Sequence, residues 1–249
     1  MTERVVQAST EYTLRDQERM KAAQRYFAWQ ARIARQELGR RVVEVGCGVG
    51  NFTRHLLDRE LVVAIDVEAD CVARLVRNLN SPANVVAKVL DVADSSFVAF
   101  RRLAIDSVVC MNVLEHVRDD LGALRNMAAV LPAGGKVVLI VPAFEALYGP
   151  IDRNLGHYRR YSKKGLYQLA KAAGFEVLTL RYMNSVGGIG WWVNARILKR
   201  TDQSEKQIRT FDRFIVPVLD WVESRLEFPF GQSLFVVLAR GETPARTTN

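Results

Sequence analysis

Residues 42–52 read Val-Val-Glu-Val-Gly-Cys-Gly-Val-Gly-Asn-Phe, so an apolar run leads directly into three alternating glycines. Glycine tolerates tight turns and lets a ligand approach the backbone closely. The spacing is G-x-G-x-G, and Asn51 stands where the dinucleotide-binding motif has its last glycine. That turn is less well suited to a pyrophosphate at the following helix. The stretch therefore predicts a strand, a glycine turn and a ligand site where the strand ends.

Two carboxylates end the next two apolar runs. Asp66 lies 20 residues after Gly46, and Asp91 ends the third run. A carboxylate at the first of these places can accept hydrogen bonds from both hydroxyls of a ribose. Ligands of open α/β sheets bind outside the carboxyl ends of the strands. A glycine loop alone is a weak indication, whereas the loop followed by both carboxylates favours a ribose-containing ligand.

Short apolar runs alternate with helical patterns along most of the chain. Such runs are typical of parallel strands that are covered on both faces. Repeated β-α units imply right-handed crossovers and a Rossmann-like, doubly wound α/β sheet. Helices are predicted at 69–79, 119–130 and 163–173, the last one capped by Ser162 and closed by Gly174. Strands are predicted at 41–45, 61–65, 85–90, 107–111, 136–141, 175–180 and 234–239.

The segments outside this alternation define the predicted domain organisation. Residues 1–39 form an N-terminal segment with a helix over 14–38, and residues 40–240 form the main domain. Residues 184–230 are too long for a simple loop and predict a helical insertion that acts as a lid, with helices at 190–200 and 207–226. The polar residues 241–249 predict a disordered tail.

From residue 40 to 182, and again at the final strand, the sequence resembles the class I S-adenosylmethionine-dependent methyltransferases. The matching motifs are 44–50, Asp66, Asp91, Cys-Met-Asn-Val-Leu-Glu-His-Val at 110–117 and Leu-Pro-Ala-Gly-Gly at 131–135. The resemblance implies a seven-stranded sheet whose last strand is antiparallel, S-adenosylmethionine as cofactor and S-adenosylhomocysteine as product. In this family the glycine segment packs under the methionine part, the first acid holds the ribose and the second reaches the adenine. The implied cofactor-binding residues are Glu44, Gly46, Cys47, Gly48, Gly50, Asp66, Val67, Asp91, Val92, Asn112 and Val113.

A polar, aromatic and basic segment follows the fifth strand, where residues 143–162 are predicted to form the acceptor loop. Methyl transfer needs the acceptor atom, the methyl carbon and the sulfur in line, and an alcohol acceptor also loses a proton to a base. The loop offers His157 and Tyr158 for catalysis, with His116 from the fourth-strand motif. It offers Asp152, Arg159, Arg160 and Tyr161 for binding an acceptor, the arginines as anion clamps. A structural loop with a buried Asp–Arg pair is the alternative.

The fourth-strand motif also raises the question of a metal. Some quinone-biosynthesis O-methyltransferases and small-RNA 2′-O-methyltransferases have Glu-x-x-Glu-His at this place and bind a divalent cation. This chain has Asn112 where they have the first Glu, followed by Glu115 and His116. Because losing a charged oxygen ligand weakens a site for a hard cation, the sequence predicts no metal.

Paired tryptophans stand in the insertion, close to basic residues. Trp191 and Trp192 are predicted to contact the acceptor, with Arg196 and Arg200 one helical turn apart behind them. The pattern suits contact with a membrane surface, a lid over a hydrophobic acceptor, or ordinary core packing.

The charge of the chain is unevenly distributed. The 249 residues carry a net charge of +8, yet residues 1–120 hold 17 basic and 17 acidic side chains. Residues 153–200 hold ten basic side chains against Glu176, a net charge of +9. This field would attract an anionic partner. A solvated basic face is the alternative.

Together these observations predict an S-adenosylmethionine-dependent methyltransferase. The expected reaction is O-methylation of a small or amphiphilic, anionic acceptor, such as a glycosylated or lipid-linked metabolite. An RNA methyltransferase and a non-catalytic cofactor-binding module are the alternatives, although the short basic segments argue against a nucleic-acid partner. Three cysteines without a CxxC pair and an N-terminus without an apolar run predict a cytoplasmic protein, with peripheral contact at the membrane surface as an option. The sequence leaves the oligomeric state open.

Overall fold

A computed structural model gives the fold for residues 15, 17–187 and 205–241, and one seven-stranded sheet lies at its centre. The strand order is β3-β2-β1-β4-β5-β7-β6, with β7 antiparallel to both neighbours and the other pairs parallel. This confirms the predicted Rossmann-like doubly wound sheet with an antiparallel last strand. Every predicted apolar run forms a strand. The strands are β1 Arg41–Val45, β2 Leu61–Asp66, β3 Val85–Val89, β4 Ser107–Met111, β5 Lys136–Pro142, β6 Phe175–Met183 and β7 Ser233–Arg240.

Helices cover both faces of the sheet. Ser162 caps α5 as predicted, because its hydroxyl accepts a hydrogen bond from the amide of Gly165 at 3.0 Å. The α-helices are α1 Gln24–Ala34, α2 Ala69–Asn78, α3 Asp120–Val130, α4 Pro150–Asn154, α5 Lys163–Ala172, α6 Glu205–Thr210 and α7 Val216–Glu223. A π-helical turn, Phe211–Ile215, joins α6 to α7. Short 3-10 segments lie at Thr53–His55, Ser95–Leu103, Leu114–His116 and Glu145–Leu147.

The apolar core lies in two layers, one on each face of the sheet. On one face, Phe97, Leu124 and Met127 are fully buried against the inward side chains of the parallel strands. On the other face, Trp29 of α1 and Leu219 of α7 belong to one cluster with the remaining strand residues. Because both faces are covered, ligands can approach the sheet only at its edges and ends.

The N-terminal helix is shorter than the predicted span 14–38. A turn interrupts it at 21–23, and α1 begins after this turn. The carboxylate of Asp212 accepts hydrogen bonds from the amides of Arg25 at 3.2 Å and Tyr26 at 2.8 Å. These first-turn amides have no partner within a helix, so a distant carboxylate fixes the start of α1. The side chain of Asn51 holds the preceding turn by donating to the carbonyl of Gln17 at 3.0 Å.

The insertion also differs from its prediction. The single helix predicted at 207–226 is α6, the π-helical turn and α7 in succession. The helix predicted at 190–200 and the tail after residue 241 lie outside the described residues.

Candidate functional site

The glycine loop leaves β1 in a conformation that favours glycine. Gly46, Gly48 and Gly50 all have positive φ angles, of +74°, +50° and +89°. A Cβ on Gly46 would collide with the side chain of Val113, which follows β4. Glycine at this position therefore serves both the turn and the close packing of two strand ends.

Asp66 holds this loop in place from the end of β2. One of its carboxylate oxygens accepts a hydrogen bond from the amide of Gly48 at 2.8 Å, and the other from the amide of Glu68 at 3.0 Å. Burial raises the pKa of Asp66, although these amides act in the opposite direction. Asp91 follows the neighbouring β3, is exposed, and accepts from the amide of Ala93 at 2.8 Å. Both acids stand at the carboxyl edge of the sheet, where the sequence placed them.

A cavity of about 410 Å³ opens beside the glycine loop. Of the predicted cofactor residues, Glu44, Gly46, Cys47 and Asn112 line it. Within the described chain, its wall does not include the predicted residues Gly48, Gly50, Asp66, Val67, Asp91, Val92 and Val113. Val92 is buried and Val67 is exposed, so a cofactor would meet them only by extending beyond the cavity along the strand ends.

Glu44 is a buried carboxyl group at the floor of this cavity. It is 3% exposed, and its Oε2 has no hydrogen-bond partner among the described residues. Burial raises its pKa to about 8, because an isolated charge is costly to bury. Such a group favours a cationic ligand that restores its charge and fills its vacant hydrogen-bonding position.

His157 is oriented by a fully buried aspartate. Oδ1 of Asp152 lies 2.9 Å from Nδ1 of His157 and accepts from Nε of Arg160 at 2.8 Å. Oδ2 of Asp152 accepts from the amide of Gly149 at 2.9 Å. A carboxylate on Nδ1 favours the tautomer that carries its proton there and leaves Nε2 as an acceptor. His157 lines the cavity, so this imidazole can take a proton from a bound group.

Glu115, His116 and His157 form a compact cluster in the same wall. Their ligand atoms all lie within 4.8 Å of one another, and the two imidazole rings meet edge to face at 4.6 Å. Burial raises the pKa of Glu115 to about 7 and, together with the charge of His157, lowers that of His116 to about 3. His116 is therefore a weak base at neutral pH, which favours His157 as the catalytic histidine.

The same three side chains fit a divalent cation. Oε2 of Glu115 is buried and has no hydrogen-bond partner among the described residues. One carboxylate and two imidazoles are a donor set that suits zinc-like cations better than magnesium. The prediction that the chain binds no metal remains a prediction.

For part of the acceptor loop, the structure supports the structural alternative, a buried ion pair between Asp152 and Arg160. Asp152 is 0% exposed, so it offers no atom to an acceptor and instead positions His157. Arg160 lines the cavity but is 2% exposed, and its guanidinium also donates to the carbonyl of Ala143 at 3.2 Å. Asp152 and Arg160 are thus paired with each other inside the loop, and the expectation that they bind the acceptor stays a prediction.

Three further residues of this loop are not among the described residues that line the cavity. The guanidinium of Arg159 pairs with Asp120 at 2.7 Å, and the hydroxyl of Tyr161 donates to the same carboxylate at 3.0 Å. Tyr158 is 57% exposed. Arg159 and Tyr161 thus hold the acceptor loop against α3, and the catalytic role of the exposed Tyr158 stays a prediction. Trp191 and Trp192 lie outside the described residues.

Sequence reasoning missed the wall opposite the acceptor loop. Tyr26 and Phe27 of α1 line it, together with Ile208 and Phe211 of the insertion. The helical periodicity of α1 marks its two aromatics only as inward-facing and does not distinguish core from cavity. Polar groups join them from the ends of β6 and β7, namely Asn184, Gln232 and Ser233.

Comparisons with known proteins agree with this geometry. The methyltransferase domain family matches residues 16–180. A ubiquinone biosynthesis O-methyltransferase of Xanthomonas oryzae pv. oryzae (strain PXO99A) is 31% identical over 179 residues, which are 66% of this chain and 73% of that protein.

Solved structures share the fold at low sequence identity. A Haloferax volcanii protein described as a methyltransferase in complex with the Trm112 activator has a TM-score of 0.64 at 19% identity, covering 95% of this chain and 97% of its own. The geranyl diphosphate C-methyltransferase of Streptomyces coelicolor A3(2) has a TM-score of 0.57 at 15% identity, covering 85% and 76%.

Proposed function

This chain belongs to the class I S-adenosylmethionine-dependent methyltransferases, and from that premise we propose that it methylates a hydroxyl oxygen of a small amphiphilic acceptor. The observation that carries the proposal is His157, which lines the same cavity as the glycine loop and is held by Asp152. A positioned base is of most use to a hydroxyl acceptor, which loses a proton as its oxygen attacks the methyl carbon. The relatives named for ubiquinone biosynthesis are O-methyltransferases, which supports oxygen as the accepting atom.

The proposed mechanism assigns separate tasks to the two sides of the cavity. S-adenosylmethionine supplies the methyl group on a sulfonium and leaves as S-adenosylhomocysteine. The glycine loop and Glu44 would hold the methionine part and Asp66 would hold the ribose, which would fix the direction from which the acceptor must approach. On the other side, Nε2 of His157 accepts the hydroxyl proton. Asp152 stabilises the imidazolium that results.

The cavity wall indicates the class of acceptor. Its apolar part includes aromatic and aliphatic side chains from α1, the acceptor loop and the insertion. Its polar part includes amide and hydroxyl groups beside the carboxyl groups and imidazoles already described. Arg160 is the only lysine or arginine among the described lining residues, and its guanidinium already pairs with Asp152. These features favour an acceptor with an apolar body and uncharged oxygen groups inside the cavity. An anionic group on the acceptor would have to lie outside it.

The experiment incubates the purified protein with methyl-labelled S-adenosylmethionine and separate lipid, small-molecule and RNA fractions of the source cell. We expect label in a low-molecular-weight product that carries a new methoxy group by mass spectrometry. Label only in RNA, or no label in any fraction despite S-adenosylhomocysteine binding, would contradict the proposal. With the product identified, His157→Gln should lower kcat by about 10²–10⁴-fold while sparing cofactor affinity. The matched control is His55→Gln, since His55 lies outside the cavity wall.

The cluster of Glu115, His116 and His157 supports a second candidate for activating the acceptor. A divalent cation held there would lower the pKa of a hydroxyl bound to it. Nδ1 of His157 faces Asp152, so its Nε2 can serve as base or as ligand but not both at once. Metal analysis of the purified protein distinguishes His157 acting as a base from His157 acting as a metal ligand. About one equivalent of metal that disappears in His116→Ala supports the cation, whereas full activity of metal-free protein in the presence of a chelator supports the base.

A further inference from the structure

The outward face of the helical segment 211–223, together with the turn that follows it, is apolar and exposed. Phe214, Val218, Trp221 and Leu226 are each between 60 and 62% exposed, and we call these four residues the outer patch. The first three lie four and three residues apart, so they share one helical face. The opposite face of the segment packs into the core against α1 and the sheet. A helix that is apolar on both faces normally has a partner on each.

Two arginines bracket the outer patch. The guanidinium of Arg213 lies over the ring of Phe214, 5.3 Å from its centroid. That of Arg225 lies over the ring of Trp221 at 4.5 Å and donates to the carbonyl of the same residue at 2.8 Å. Both arginines are exposed. The patch therefore presents aromatic rings with cations at both ends.

The acids of the same segment are turned away from the patch. Asp212 is buried and caps α1, and Glu223 is buried with its carboxylate on the amides and hydroxyl after β6. Asp220 pairs with Arg32 of α1. Glu227 directly follows Leu226 and is exposed, so one acid stands at the rim of the patch against the two arginines. The exposed charge of the patch itself is thus positive.

We propose that the outer patch docks on the surface of an anionic lipid bilayer. Tryptophan and phenylalanine flanked by arginines suit the interface, where rings enter the headgroup region and cations meet lipid phosphates. A second copy of the chain fits less well, because two-fold pairing would bring the arginines of one patch against those of the other. Along the described ranges, no helix is long and apolar enough to cross a membrane.

The helical segment that carries the outer patch also contributes side chains to the cavity wall. Ile208 and Phe211 line the cavity, while the outer patch begins three residues later at Phe214. Docking would therefore bring one cavity wall close to the lipid. The sequence offers membrane contact as one of three interpretations of Trp191 and Trp192. The outer patch consists of other residues, and its docking is independent of the acceptor proposed above.

The test is co-sedimentation of the full chain with vesicles of phosphatidylcholine alone, and of phosphatidylcholine with one quarter phosphatidylglycerol. We expect stronger binding to the mixed vesicles, weakened by added salt. Trp221→Ser should weaken that binding about tenfold or more, because it removes an inserting ring. Arg213→Gln with Arg225→Gln should reduce the preference for phosphatidylglycerol. Tyr167→Ser is the matched control, an aromatic 49% exposed on α5.

Three results would overturn the proposal. The first is no binding to the mixed vesicles, or equal binding by wild type and Trp221→Ser. The second is a dimer in solution that Trp221→Ser converts to a monomer, which would make the patch an interface between copies. The third is a fall in Tm of several degrees for Trp221→Ser but not for Tyr167→Ser, which would show that another part of the chain covers the patch.

Discussion

Replacing Asp152 with Asn removes the negative charge from a fully buried ion pair while keeping the shape of the side chain. The side chains of Asp152 and Arg160 are 0% and 1% exposed. The substitution leaves the guanidinium of Arg160 buried beside a neutral amide, and breaking a buried pair in this way costs about 3–5 kcal/mol. For a chain of this length, each kcal/mol lowers Tm by about 2–4 °C. The smaller cost therefore gives an expected fall of about 6–12 °C.

Thermal unfolding followed by circular dichroism measures this change. Burial raises the pKa of Asp152, but hydrogen bonds from His157 and Arg160 and the charge of Arg160 outweigh it, so the pKa is lowered overall. The contribution of the carboxylate is therefore present above the ordinary aspartate pKa and is lost as the pH falls through the lowered one. The difference between variant and wild type should shrink accordingly in acid.

The double variant Asp152→Asn, Arg160→Met is the control for this reasoning. Removing both charges leaves no uncompensated ion, so it should recover much of the stability that the single variant loses. A single variant within about 2 °C of wild type, or a double variant less stable than the single one, would refute the argument from charge burial.

Three further predictions concern the cofactor side of the site. Asp66→Ala should weaken S-adenosylhomocysteine binding by about 10–100-fold in titration calorimetry, since charge-assisted hydrogen bonds contribute about 1.5–3 kcal/mol, whereas the exposed Asp70→Ala should bind normally; equal affinities would remove Asp66 from the site. Gly46→Ala should abolish S-adenosylhomocysteine binding. Gly134 has the same φ of +74° but open space at Cβ, so Gly134→Ala should only lower Tm slightly. If both variants lost the same affinity and stability, backbone strain alone would explain the effect. The pKa of Glu44 is raised from 4.5 to about 8, so its contribution to stability is fully present below 4.5 and is lost as the pH rises through about 8. Between pH 4.5 and about 8, the free energy of unfolding of Glu44→Gln should therefore fall less than that of wild type, as measured with denaturant. An identical pH dependence of the two free energies would contradict the raised pKa of Glu44.

The sheet and the cofactor loop were predictable because local sequence carries their physics. Short all-apolar runs can be strands only if both faces are covered, and the glycines mark positions where the backbone has positive φ. Asp66 follows its strand directly, so its place at the sheet edge is set by chain order. For these features, contacts close in sequence or between neighbouring strands are sufficient.

The acceptor loop could not be predicted to the same depth, because its pairings depend on how the irregular loop folds back on itself and on which distant element it meets. Arg159 and Arg160 are adjacent and chemically identical, yet one pairs with Asp120 of α3 and the other with Asp152. Composition alone suggests two anion clamps. In the structure, each arginine forms an ion pair with an acid of the same chain, one inside the loop and one outside it.

The N-terminal helix shows the same limit. Helix propensity continues from 14 to 38, but Asp212, 187 residues after Arg25, determines where α1 starts. The sequence by itself determined the sheet, the glycine turn and the carboxylates at its edge, because strand periodicity and backbone conformation are local properties. Only the tertiary structure decided that Arg159 pairs with Asp120 and that α1 and the insertion line the cavity. Hydrogen bonds and packing between distant segments form only once the chain has folded.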